Sequence, residues 1–175
     1  MGKWNNKAAE DSAQILKQIT IPVLKKYFNG EVISTEINND FAKLLDQHAA
    51  SDAILVKDEL LFGIAHRVDY KNKQSITVRY KNSETTDPTE YQKITNPLTI
   101  KPAYHVTTCC VDGKPKYIAI IQTNKLLEAI NDGIGELKDG CEKSPKKSQY
   151  FELKWHDLRE YGIKVLKVKL NYEEV

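Results

Sequence analysis

Between Ala53 and Lys81 the chain offers three runs of strand length: Ala53 to Val56, Leu60 to Tyr70 and Ile76 to Lys81. They are separated only by Lys57-Asp58-Glu59 and by Lys71-Asn72-Lys73-Gln74. A parallel crossover takes a dozen or more residues, so connectors this short suit hairpins. A continuous antiparallel meander over 52–81 is therefore expected. Upstream, from Ala8 to Phe28, the residues Ile15, Leu16, Ile19, Val23, Leu24 and Tyr27 recur at steps of three and four, the spacing of one buried helical face. This amphipathic helix should pack on one side of the meander. Pro22 lacks a backbone donor and should bend or divide it, and Asn29-Gly30 supplies a stop.

The remaining elements follow from similar signals. Glu31 to Ile37 alternates like a strand, and Asn39 or Asp40 can cap a short helix carrying Phe41, Leu44 and Leu45. Asn82 to Asn96 reads as a polar loop that opens into a short helix over Thr89 to Ile94. Strands at Tyr104 to Val111 and Tyr117 to Gln122 flank the turn signal Asp112-Gly113, and a helix holding Leu126, Leu127 and Ile130 ends at Asp132-Gly133. Gly135 to Gln149 reads as a mobile excursion. A strand over Phe151 to Lys154, a helix over His156 to Tyr161 and a lysine-protected edge strand over Ile163 to Leu170 complete the chain. At 175 residues with 41% hydrophobic side chains, the expectation is one α+β domain spanning 1–175, a mixed and mostly antiparallel sheet flanked by three or four helices. No apolar run reaches the roughly 18 residues of a membrane span. Cys109, Cys110 and Cys141 are odd in number and lack CxxC spacing, which fits a reducing, cytoplasmic setting.

The strand around Gly63 to Lys71 carries unexpected charge. Side chains alternate across a strand, so Ala65, Arg67, Asp69 and Lys71 share one face while Ile64, His66, Val68 and Tyr70 share the other. His66, with apolar neighbours, reads as a hydrogen-bonded core histidine. If Asp52 opens the preceding strand, a hairpin brings its carboxylate toward Arg67 or Asp69. That constellation is either a structural Asp52–Arg67 ion pair beside a solvated hairpin end, or a site for chemistry. The 26 basic and 24 acidic residues nearly cancel, so any basic surface must arise by clustering. The clusters that suit DNA or RNA phosphates are Arg79, Lys81 and Lys93 near the charged strand, with Lys71 and Lys73, and Lys143, Lys146 and Lys147 in the excursion. Tyr70, Tyr80 and Tyr91 lie close to these charges in sequence, where rings can stack on bases.

The helix, the strands, Asp52 and the triplet Asp69-Tyr70-Lys71 together resemble the PD-(D/E)XK nuclease superfamily, over roughly Ala8 to Leu127. There a helix precedes the strands, one acid sits on a strand and an acid-x-lysine triplet sits on the next. Ser51 stands in place of the proline, and with the frame moved to the strand centre Ala65-His66-Arg67 occupies the triplet's place. The resemblance implies a restriction-endonuclease-like core and Mg²⁺-dependent hydrolysis of phosphodiesters. Asp52 and Asp69 would be metal ligands, Glu36 an additional one, and Lys71 or Arg67 the cation that stabilises the phosphorane. The stretch from Asp40 to Lys93 also looks like an uncharacterised bacterial and phage family, which suggests a mobile-element origin. The alternative is a non-catalytic binding or interaction module that keeps the fold without a complete acid set.

Overall fold

In the computed structural model, which describes residues 10–35, 51–81, 88–97, 101–140 and 148–170, residues 10–28 are helical throughout. A π-helical turn, Leu16–Thr20, leads into α1 (Ile21–Phe28). Pro22 gives the physical reason: it has no N–H for the preceding turn, and the Ile21 N–H instead reaches back to the Leu16 carbonyl. The helix is locally widened and not divided. Asn29, in the left-handed conformation at φ 50°, ends it as expected.

The strands are β1 (Glu31–Ser34), β2 (Ala53–Lys57), β3 (Leu60–Asp69), β4 (Ser75–Lys81), β5 (Tyr104–Val111), β6 (Lys114–Gln122), β7 (Glu136–Asp139), β8 (Gln149–Lys154) and β9 (Leu166–Lys169). The further helices are α2 (Glu90–Thr95), α3 (Thr123–Asn131) and α4 (Trp155–Glu160). Six strands form one sheet in the order β1-β2-β3-β5-β6-β9, and β4-β8-β7 form a second. Every pairing is antiparallel except β3 with β5. The architecture is thus α+β with a mixed, mostly antiparallel sheet and a few helices. Among the described residues no helix is long and apolar enough to cross a membrane.

The meander stops one strand short of expectation. β2 and β3 form the hairpin, with Ala53 opposite Ile64, but β4 leaves the sheet and pairs with β8, Ser75 opposite Lys154. The Asp69 carboxylate accepts the Lys71 and Gln74 N–H groups, and Asn72 and Gln74 take positive φ angles of 52° and 50°. This turn steers the chain away, and β5 fills the place beside β3 in parallel, Arg67 opposite Thr107. A short connector fixes how far the chain travels and leaves open which sheet it enters.

Alternation on β5 and β6 divides the interior into two cores. Val106, Ile118 and Ile120 meet Leu16, Leu24 and Phe28 on the helix side. Cys109, Ala119 and Ile121 point the other way, toward Ile76, Val78, Leu126, Leu153 and Trp155 beneath the small sheet, α3 and α4. On the helix side His66 is buried, its Nε2 3.0 Å from Thr108 Oγ1 and 3.3 Å from Thr20 Oγ1 in the π turn, as a core histidine should be. The stretch expected as an excursion over 135–149 begins with strand β7, and 141–147 lie outside the described residues. The expected helix with Phe41, Leu44 and Leu45 lies outside them too.

Candidate functional site

The second sheet has one apolar and one polar face. Ile76, Val78, Phe151 and Leu153 turn to the core, which by alternation sends Ser75, Thr77 and Arg79 of β4 and Tyr150 and Glu152 of β8 to the other side. Facing them are Arg67 and Asp69 at the end of β3 and Thr107 of β5, and between the two walls lies a cleft of about 410 Å³. The ionic face expected for β3 therefore lines a cavity: Arg67, Asp69 and Lys71 all border it, together with Lys73 and Arg79.

Two buried carboxylates organise these cations. Glu90, in the first turn of α2, is only 5% exposed and accepts Arg67 Nη2 at 2.9 Å and the Arg79 N–H at 3.2 Å on Oε2. Its other oxygen lies 3.3 Å from His105 Nε2, a close contact but not an aligned hydrogen bond, and His105 Nδ1 is 3.0 Å from Thr123 Oγ1. Burial alone would raise the Glu90 pKa. Arg67, His105 and the Arg79 amide outweigh it and hold the carboxyl well below the usual range. Thr89 positions this glutamate by a capping box with Gln92 at the helix start. Glu152 accepts Lys73 Nζ at 2.7 Å, Lys138 Nζ at 2.5 Å and Ser75 Oγ at 3.3 Å. These partners outweigh the effect of burial and lower its pKa as well.

Arg79 is different. Its backbone is tied to Glu90, but its guanidinium makes no hydrogen bond or ion pair with any described residue. Loss of solvent, and then the charge of Arg67, draw its pKa down, against the attraction of Glu90. Among the described residues, both guanidinium groups thus lie in the neighbourhood of the Glu90 carboxylate, an arrangement that favours an added anion.

The other expected site residues divide plainly. The Asp52 Oδ2 accepts the His66 N–H at 2.6 Å, at the start of β2. Since Asp52 N donates to the Ile64 carbonyl, it sits opposite Ala65, four strand positions or about 13 Å from Asp69. Asp52 does not border the cleft. Lys71 lies in the turn past β3, where Asp69 already serves as an acceptor of two backbone donors. Burial, and then the Asp69 charge, push the Cys109 thiol up to about 12, and it donates toward that carboxylate at 3.6 Å. Lys81 follows a register irregularity after Arg79, and neither it nor Lys93 borders the cleft. Glu36, Lys143, Lys146 and Lys147 fall outside the described residues.

Mg²⁺ takes oxygen donors at about 2.0–2.1 Å, so Asp52 and Asp69 at this separation do not share one ion. Among the described residues no group of three His, Cys, Asp or Glu side chains gathers for a metal. Among the described residues, Asp52 and Asp69 therefore do not form the ligand pair that the resemblance implied, and Glu36 lies outside them.

Sequence reasoning missed Glu90, Glu152 and Tyr150. A glutamate just after a capping threonine, like a glutamate alternating with Phe151 and Leu153, reads as solvent-facing unless the opposing layer is known. Tyr80 and Tyr91 stack with Phe151 at centroid distances of 5.1 and 5.4 Å, away from the cations, whereas Tyr70 and Tyr150 border the cleft. Comparison with protein-family models, curated proteins and solved structures finds no match.

Proposed function

We propose that this protein binds nucleic acid through its phosphates in the cleft between the two sheets, as a non-catalytic module. The observation that carries this reading is the Arg79 guanidinium, unpaired among the described residues and beside Arg67, in a cleft that Lys71 and Lys73 also border. Arginine presents a planar fork of donors that matches a phosphate's oxygens, and a flanking lysine adds a mobile point charge. The order helix, β1, β2, β3 and the position of Asp52 at the head of β2 support kinship with the nuclease layout. Opposite Asp52, however, stands Ala65, followed two residues later by Arg67, where that layout would need an acid and a lysine. No hydrolytic step is assigned.

Retention of labelled single-stranded and duplex DNA and RNA at low salt tests this reading. Arg79→Glu should weaken binding by tenfold or more, while Lys81→Glu, outside the cleft, should change it much less. Absence of detectable binding to every probe would instead favour a protein-interaction module.

A further inference from the structure

We infer, on the basis of that reading, that the cleft accepts a single strand and not a duplex, with a phosphate between Arg67 and Arg79 and its base on the ring of Tyr150. Arg79 and Tyr150 stand directly opposite each other in the β4–β8 register. Opposed residues of an antiparallel pair have Cβ atoms about 4.5–5.5 Å apart, so cation and ring lie within the reach of one nucleotide. The ring is also available. Tyr80, Tyr91 and Phe151 cover one another, but no ring or cation contact covers Tyr150 among the described residues.

The cations are open to an incoming strand: Arg79 is exposed and the Arg67 side chain is 41% exposed. Thr107, 3% exposed, borders the cleft, and the carboxylate that holds Arg67 is buried behind it. The volume of about 410 Å³ is that of a small-molecule site, suited to a nucleotide unit. A duplex keeps its bases stacked inside and presents phosphates on a convex surface. It cannot use the ring, whereas a single strand offers both phosphate and base face. The sugar enters neither contact, so DNA and RNA strands should serve alike.

The test is fluorescence anisotropy with the full-length protein at low salt, using labelled oligothymidylate and oligouridylate of twelve nucleotides and a mixed-sequence duplex of the same length. Both single strands should bind at least tenfold more tightly than the duplex. Tyr150→Ala should weaken single-strand binding by roughly five- to hundredfold and erase the preference, the range that base–aromatic stacking covers. Tyr150→Phe should retain both, and unchanged thermal melting of each variant would show that the fold persists. Equal affinity for strands and duplex, or full single-strand binding by Tyr150→Ala, would overturn this inference and leave phosphate binding in the cleft standing. Binding of no probe at all would overturn the underlying reading.

Discussion

Acidification from pH 6.5 is expected to destabilise the protein steeply, and His66→Gln to flatten that dependence. Burial, followed by the charge of Arg67, lowers the His66 pKa to about 3. The unfolded chain therefore binds a proton below about pH 6.5 that the folded chain refuses, and stability is complete only above that value. It should fall by up to about 1.4 kcal/mol per pH unit, reaching roughly 3 kcal/mol by pH 4.5 and continuing toward pH 3. Carboxylates contribute little between pH 6.5 and 4.5, and the other three histidines are common to both proteins, so the difference between parent and variant in this window reports His66. Urea unfolding across the window should show a steeper slope in the parent than in His66→Gln, whatever that variant's stability at pH 7. An equal slope in both would show that the imidazole does not stay neutral between Thr20 and Thr108.

Glu90→Ala should cost about 3 kcal/mol at neutral pH, the low end of what breaking a buried ion pair costs. The side chain is 5% exposed, and its removal strands His105 and the Arg79 amide in the interior. Arg67, at 41% exposure, can recover part of its solvation, which keeps the loss from the upper range. The depressed carboxyl adds a second signature: its stabilisation is present above about pH 4.5 and disappears as pH falls below that value. Glu90→Gln preserves size and should cost less at pH 7 while removing this acid-side loss. Denaturant midpoints at pH 7 and pH 4 measure both effects. A midpoint for Glu90→Ala within experimental error of the parent would mean that Glu90 organises nothing.

Local signals carried much of the fold. The three- and four-residue spacing before Phe28, the alternation on β3, the short helix expected over Thr89 to Ile94 and the Asp112-Gly113 turn, with φ angles of 51° and 75°, all correspond to observed features. Alternation also placed Arg67, Asp69 and Lys71 on a common side and His66 on the opposite one. What the sequence concealed was pairing across distance. Nothing local in Ser75 to Lys81 says that its partner is Gln149 to Lys154, and nothing in Tyr104 to Val111 says that it runs parallel to β3. Because the second sheet was not foreseeable, neither was its polar face, and Tyr150 and Glu152 stayed hidden. Asp52 and Asp69 seemed near neighbours for the same reason: a hairpin was evident, but its register was not.

The central claim is that the cations bordering the cleft neutralise phosphates, and the salt dependence of binding tests it most directly. For a single strand the logarithm of affinity falls with the logarithm of salt at about −0.7 per phosphate neutralised. With Arg67, Arg79 and Lys71 engaged, the slope for oligothymidylate should lie near −2, and the Arg79→Ala, Lys71→Ala double variant should bring it to about −0.7. A slope near zero in the parent, or one that the double variant leaves unchanged, would contradict the account.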